Sequence, residues 1–166
     1  MSEDLVLIEL ARQQYALSVR QAREVLPRAA LTPLAGAPAG VLGVLSLRGQ
    51  LLPVLDVRQR LGLPAVPPAV TQCIVVTDLE SATVGLLVDA VVGLASDVTG
   101  GHAQAPDGAG ALVRQVVELD RQVVAVLDPE AVAGEEIAAY VAALAPPRDA
   151  APYALAGAVP PSRGRA

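Results

Sequence analysis

Two stretches of this sequence occur twice. Leu47–Asp56 returns without a gap as Leu119–Asp128, and Tyr15–Val19 returns as Val84–Val88. The apolar pattern is kept in both pairs while the polar residues change. This is typical of a duplicated folding unit whose two halves have diverged. Residues that occur in one copy alone are therefore the first candidates for function.

The length of the chain allows one ordinary domain or two very small ones. Of its 166 residues 53% are hydrophobic, mostly Val, Leu and Ala, and neither Phe nor Trp occurs. A folding unit of half this length buries too little surface to be stable alone. We therefore expect the two copies to share a packed interface.

Strand patterns dominate the sequence, with turn residues at regular spacing. The predicted strands are Leu5–Leu10, Tyr15–Val19, Val41–Leu47, Leu51–Val57, Cys73–Thr77, Thr83–Val88, Val91–Ala95, Leu112–Leu119 and Gln122–Leu127. Between the second and third of these, the apolar residues of Arg20–Leu26 predict a short helix or turn that Pro27 closes. Many short strands of this kind predict an all-β fold, here two small barrels in tandem.

Local sequence signals predict one hairpin turn, the position of one strand in its sheet and the start of one helix. The Arg48-Gly49 dipeptide is predicted to form a hairpin turn, because glycine readily adopts the positive φ that a tight turn needs. Pro53 lacks a backbone N–H, so the strand that contains it should lie at a sheet edge or carry a bulge. Asp128 precedes a proline, which predicts a helix that starts there and runs to about Leu144.

Several function classes are excluded by what the sequence lacks. The net charge of −5 and the scattered arginines leave no basic face for nucleic acid. There is no Gly-rich phosphate loop and no Cys or His cluster, so we expect no enzyme activity, no cofactor and no metal. Cys73 is expected to be a buried strand residue, and His102 a solvated residue in a Gly-rich loop. Asp56 and Asp128 occupy equivalent places and are interpreted as helix N-caps rather than a catalytic pair.

Glu24 and Arg48 are charged residues that break the repeat. The counterpart of Glu24 in the second copy is Gly93, and that of Arg48 is Asp120. A surface ion pair by itself adds little to stability. Since both charges occur in the same copy, we favour the interpretation that they are held together beside a protein-binding face.

Three segments around these residues resemble the CheW-like family, the adaptors of bacterial chemotaxis arrays. They are Gly43–Asp56, Val84–Asp89 and Tyr15–Val25. In the family the first segment contains the motif Asn-Leu-Arg-Gly, followed by an apolar strand with Pro and a terminal Asp. Here Ser46 stands in place of the Asn. The resemblance covers about residues 4 to 144.

The resemblance implies a fold of two intertwined five-stranded SH3-like barrels, with short helices and a C-terminal helix. We expect one domain at 1–144, with sub-barrels at roughly 15–68 and 70–127 that exchange strands and a helix at 129–144. The Ala- and Pro-rich tail at 145–166 cannot bury enough surface to fold, and we expect it to be disordered.

The resemblance also implies a role. Members of this family bridge the cytoplasmic tips of transmembrane chemoreceptors to the regulatory domain of a CheA-type histidine kinase, which has the same fold. The receptor's helical hairpin would lie in the groove between the sub-barrels. The family's conserved acid and arginine correspond to Glu24 and Arg48. The other residues expected at the partner-binding face are Ala22, Val25 and Gly49.

An alternative is a small-barrel ligand-binding or enzymatic protein unrelated to chemosensing. Such a protein needs a polar pocket, and the sequence has few polar residues to line one. The acidic start of the chain has no hydrophobic signal core. We therefore expect a cytoplasmic adaptor that is recruited to receptor arrays at the inner membrane face, without inserting into the membrane.

Overall fold

The computed structural model describes residues 2–99 and 112–144, which form ten strands and two helices. The strands are β1 (Ser2–Leu10), β2 (Gln13–Ser18), β3 (Ala22–Pro27), β4 (Val41–Leu47), β5 (Gln50–Asp56), β6 (Cys73–Asp78), β7 (Thr83–Val88), β8 (Ala90–Thr99), β9 (Val113–Leu119) and β10 (Gln122–Leu127). The helices are α1 (Val57–Arg60) and α2 (Pro129–Leu144). Each strand predicted from the sequence is found, and β3 is an additional one.

The strands form two five-stranded sheets that are built in the same way. Sheet A has the order β8-β1-β2-β10-β9, and sheet B has the order β3-β6-β7-β5-β4. Each strand of sheet A has its repeat counterpart at the same place in sheet B. Val126 of β10 pairs in parallel with Ala16 of β2, and the counterparts Val54 and Gly85 pair in the same way. The prediction of two intertwined five-stranded SH3-like barrels is confirmed.

Both sheets mix strands from the two copies of the repeat. Sheet A joins β1 and β2 of the first copy to β8, β9 and β10 of the second. Sheet B joins β6 and β7 of the second copy to β3, β4 and β5 of the first. The two halves of the chain are therefore connected by backbone hydrogen bonds within each sheet as well as by side-chain packing.

Three apolar clusters hold the sheets together. One lies inside the barrel of sheet A and contains Leu5 and Val124, and a second lies inside the barrel of sheet B and contains their counterparts Ile74 and Leu52. The third and largest combines residues of both sheets with residues of α2. Its buried members include Leu10, Leu17, Leu55, Leu86, Leu127 and Ile137. This shared core is the packed interface expected from the short length of each copy.

Three hairpins use the same two-residue turn. Both central residues of each turn have positive φ, as in type I′ turns, whose twist matches that of the strands. The turn residues and their φ values are Ala11 (52°) and Arg12 (64°), Arg48 (50°) and Gly49 (78°), and Asp120 (49°) and Arg121 (64°). The predicted turn at Arg48 and Gly49 is therefore confirmed.

The segment predicted as a helix or turn, Arg20–Leu26, is mostly strand, so that prediction is wrong. β3 pairs antiparallel with β6 at the edge of sheet B. The register shifts between Ala22 and Glu24, where Arg23 is an extra residue on the β3 side. Such a bulge interrupts the alternation of a strand. It spaces the apolar residues of β3 in a way that resembles a helix.

The prediction that the strand containing Pro53 lies at a sheet edge is also wrong, because β5 is an inner strand. Pro53 faces Val44, whose backbone N–H and C=O both bond to Thr32 instead of to β5. The parallel ladder with β7 begins one residue later, at Val54. The missing N–H of Pro53 is therefore not needed by either neighbouring strand, and the bulge of this hairpin lies in β4.

Both predicted helix N-caps are confirmed. Asp56 Oδ1 accepts a hydrogen bond from the backbone N–H of Gln59 at 3.3 Å, and Asp128 Oδ1 accepts one from that of Glu130 at 3.0 Å. α2 runs from Pro129 to the last described residue, Leu144, and Gly134, with a φ of 73°, introduces a kink.

Two of the sequence predictions fall outside the described residues, namely those for His102 and for the tail at 145–166. Cys73 begins β6, as predicted for a strand residue, but it is half-buried rather than buried. In the described part of the chain no helix is long and apolar enough to cross a membrane. The same residues contain no group of three or more His, Cys, Asp or Glu side chains that could hold a metal ion.

Candidate functional site

Sheet B brings Glu24 and Arg48 together as a bidentate ion pair. Arg48 Nη1 donates a hydrogen bond to Glu24 Oε1 at 2.6 Å, and Nη2 donates one to Oε2 at 2.9 Å. Glu24 lies on β3 and Arg48 directly follows β4, and these are the two edge strands of sheet B. The pair therefore links the two edges of the sheet across the barrel.

The ion pair is open to solvent. The side chain of Arg48 is 73% exposed and that of Glu24 is 28% exposed. Hydrogen bonding from Arg48, together with its positive charge, holds the pKa of Glu24 below its ordinary value, and the same contact raises the pKa of Arg48. Both groups therefore stay charged near neutral pH. A partner can reach the guanidinium group without first separating the pair.

A groove of about 510 Å³ runs beside the pair, and we call it the Arg48 groove. Its lining includes Arg23, Glu24, Arg48, Leu51, Val76 and Thr83. Leu51 is 60% exposed. Arg23 Nε donates a hydrogen bond to Asp78 Oδ2 at 2.5 Å, which fixes a second charge of β3. Exposed apolar area flanked by fixed charges suits the binding of a protein surface.

Ala22 and Val25 line a second groove, of about 250 Å³, that lies between β3 of sheet B and β8 of sheet A. We call it the inter-sheet groove. Across from Val25, which is 43% exposed, Leu94 of β8 is 73% exposed. Glu24 lines both grooves. Four of the five predicted site residues are therefore divided between two adjoining surfaces.

Gly49 lies beside Arg48 in the turn but lines neither groove. A Cβ atom added at Gly49 would meet no atom within 4 Å. Its φ of 78° favours glycine, yet its second-copy counterpart Arg121 adopts a φ of 64°. Gly49 therefore eases the turn that presents Arg48, and the space around it does not require glycine.

The sequence prediction misses Leu94 as part of the inter-sheet groove. The repeat contains a signal for it, because Leu94 is the counterpart of Val25. The structure confirms this equivalence, since Gly93 pairs with Leu7 in sheet A as Glu24 pairs with Val76 in sheet B. Leu94, on the second wall of the groove, could therefore be predicted from the sequence as the second-copy counterpart of Val25.

The model of the CheW-like domain family matches residues 4–136 of the chain. This chain belongs to the CheW-like family. The matched range contains both grooves of the CheW-like domain and the Glu24–Arg48 pair between them.

Three curated chemotaxis proteins are similar to this CheW-like chain. Chemotaxis protein CheW of Rhizobium meliloti (strain 1021) is 41% identical over 88 residues, which are 53% of this chain and 57% of that protein. Probable chemotaxis protein CheW of Rhizobium etli is 28% identical over 136 residues, which are 80% of this chain and 88% of that protein. Chemotaxis protein CheW of Bacillus subtilis (strain 168) is 28% identical over 142 residues, which are 81% of this chain and 88% of that protein.

A solved structure agrees with the fold of the CheW-like domain. The crystal structure of scaffolding protein TtCheW from Thermoanaerobacter tengcongensis matches with a TM-score of 0.74 and 21% sequence identity. The match covers 82% of this chain and 91% of TtCheW. At this identity the likeness establishes the fold alone.

Proposed function

We propose that this chain is a non-catalytic adaptor that couples transmembrane chemoreceptors to a CheA-type histidine kinase in chemosensory signalling. It would act in the cytoplasm, at receptor arrays on the inner face of the membrane. Membership of the CheW-like family supports this role. The observation that assigns this role to particular residues is the Glu24–Arg48 pair, which is charged, exposed and absent from the second copy.

The two grooves suggest how such an adaptor would hold its partners. The inter-sheet groove offers Ala22, Val25 and Leu94 as an open apolar surface, which suits the apolar side of a receptor's helical hairpin. Glu24 lines this groove as well as the Arg48 groove, so its ion pair with Arg48 would supply the charged part of the partner-binding face. The kinase's regulatory domain has the same fold and would pair with this chain barrel to barrel.

Coupling requires that the adaptor bind the states of its partners unequally. A scaffold that contacts active and inactive complexes with the same free energy cannot shift the equilibrium between them. The partner-binding face should therefore contain contacts that one signalling state makes better than the other. We infer that the charged pair supplies such contacts, because the interaction energy of a charge depends on its distance from the partner.

The test of the partner-binding face is co-sedimentation with receptor-containing membranes and the kinase. We expect the R48E variant to reduce ternary assembly by about tenfold or more, as for an arginine that contributes strongly to an interface. Its thermal midpoint should stay close to that of the wild type, because an exposed ion pair adds little to stability. The matched control is E136R, which reverses a charge on the exposed side of α2, outside both grooves.

The double variant E24R/R48E tests whether the two charges act as a pair. If they do, exchanging them should recover part of the assembly that R48E loses, because the ion pair can form again. Wild-type levels of assembly by R48E would remove Arg48 from the partner-binding face. Failure of the wild-type chain to bind either receptor or kinase would contradict the adaptor function itself.

A further inference from the structure

Two arginines occupy turn positions that favour glycine. Arg12 in the β1–β2 turn and Arg121 in the β9–β10 turn both have a φ of 64°. The equivalent position of the β4–β5 turn is Gly49, with a φ of 78°. Other residue types are strained in this region of φ, and strained positions concentrate at functional sites. The turn type does not call for arginine at either position.

The fold brings these two arginines to the same end of sheet A. β2 and β10 are adjacent and parallel, with Tyr15 paired to Ala125. Each turn directly precedes one of these strands. When the pairing of β2 with β10 is continued back to the turns, Arg12 lies beside Gln122. Gln122 is the residue after Arg121. This end of sheet A lies outside both the Arg48 groove and the inter-sheet groove.

Both guanidinium groups are free within the described residues. Arg12 and Arg121 are exposed, and neither side chain makes a hydrogen bond or ion pair with any described residue. Beside them Gln13 and Gln122 are exposed, and Val123 is 70% exposed. The two free cations therefore lie at the same end of sheet A, with Gln13, Gln122 and Val123 beside them, and we call this end of the sheet the arginine surface.

We propose that the arginine surface binds a protein segment that carries two carboxylates. A guanidinium group donates two parallel hydrogen bonds to one carboxylate, so two neighbouring arginines match a pair of acidic residues. Val123 adds exposed apolar area, which protein interfaces combine with arginine. The strain of both turns is then explained, because arginine at each position presents its charge from a rigid two-residue turn.

The acids around this surface exclude a polyanion as its ligand. Glu9, Glu118 and Asp120 lie on the same strands and turns and are exposed or half-buried. They would repel a nucleic acid or an anionic membrane, whose charge extends over a wide area. A short acidic segment needs only the two guanidinium groups and avoids these carboxylates. The net charge of −5 also disfavours binding of a polyanion.

The test uses the full chain, a short peptide whose only charged side chains are two glutamates, and the variant R12G/R121G. NMR titration of the wild type should shift amide signals at the two turns, with an affinity that falls as salt is added. Glycine removes both cations and relieves both positive φ angles. We expect R12G/R121G to bind the peptide about tenfold more weakly or worse, as for paired arginines at an interface. Its thermal midpoint should be unchanged or higher.

The matched control is R20Q, which removes another exposed arginine and should bind like the wild type. Equal peptide binding by R12G/R121G and the wild type, or shifts spread evenly over the surface, would overturn the proposal. So would a lower thermal midpoint of R12G/R121G, because the arginines would then be needed for the fold. Tighter binding to phosphatidylglycerol vesicles than to the peptide would assign this surface to a membrane instead.

Discussion

Two carboxylate–arginine contacts in this protein have different consequences. Arg48 pairs with Glu24 in open solvent, so the contact adds little to stability and leaves the charge available to a partner. The side chain of Glu3 is only 20% exposed. It accepts hydrogen bonds from Arg114 Nη2 at 2.6 Å and from Gln115 Nε2 at 3.0 Å. Because Glu3 lies on β1 and its donors on β9, this contact stabilises the barrel of sheet A.

Glu3 should make folding stability depend on pH. Burial raises the pKa of Glu3, but hydrogen bonds from Arg114, Ser18 and Gln115 and the charge of Arg114 outweigh it, so the folded pKa lies below the ordinary 4.5. The stabilising contribution is therefore fully present above the ordinary pKa and is lost as the pH falls through the folded value. We expect E3Q to be less stable than the wild type at neutral pH by about 1 kcal/mol or more.

Urea unfolding of E3Q and the wild type at a series of pH values measures this effect. The difference in the free energy of unfolding should shrink towards zero in acid, where Glu3 of the wild type is protonated as well. A difference that stays constant with pH would show that the charge of Glu3 does not cause it.

At the scale of single elements, the start of α2 depends on the N-cap at Asp128. We expect D128A to lower the free energy of unfolding by about 1 kcal/mol, because the backbone N–H of Glu130 loses its acceptor. D128N should cost less, since an asparagine side chain still accepts that hydrogen bond. Urea unfolding of both variants checks the prediction. Equal losses would point to the charge of Asp128 rather than to its capping hydrogen bond.

The sequence predicts most strands correctly because their apolar residues alternate and their turns are short. It fails at β3, where the bulge at Arg23 breaks the alternation and pairing with β6 decides the structure. The repeat offered a correction, because the equivalent stretch Val91–Ala95 is predicted as a strand. The position of Pro53 is mispredicted for a related reason. Whether a strand lies at an edge depends on pairing between distant segments, which local pattern does not contain.

The candidate site is predictable in part. Glu24 and Arg48 stand out because they break the repeat, and the structure places them in contact. Their hydrogen-bond geometry depends on closure of sheet B. The facing wall at Leu94 depends on how the two sheets are arranged. Neither the closure of sheet B nor the arrangement of the two sheets can be predicted from the sequence pattern of single strands.

At the scale of the whole molecule, the two halves of the chain should not fold separately. β5 of the first half pairs with β7 of the second, and β2 pairs with β10. A fragment of residues 1–68 or 70–144 lacks these partners and exposes its side of the shared core. We expect circular dichroism to show each fragment unfolded alone and an equimolar mixture to regain sheet structure. Cooperative unfolding by either fragment alone would contradict the intertwined fold.

The most direct test of the adaptor function is receptor control of the kinase in reconstituted membranes. Receptor and kinase from the same organism would be combined with the wild-type chain, with R48E or with no adaptor, and kinase autophosphorylation would be measured with and without attractant. We predict that attractant changes kinase activity when the wild-type chain is present and has little effect with R48E or without adaptor. The same attractant response in the absence of the chain would contradict the proposed function.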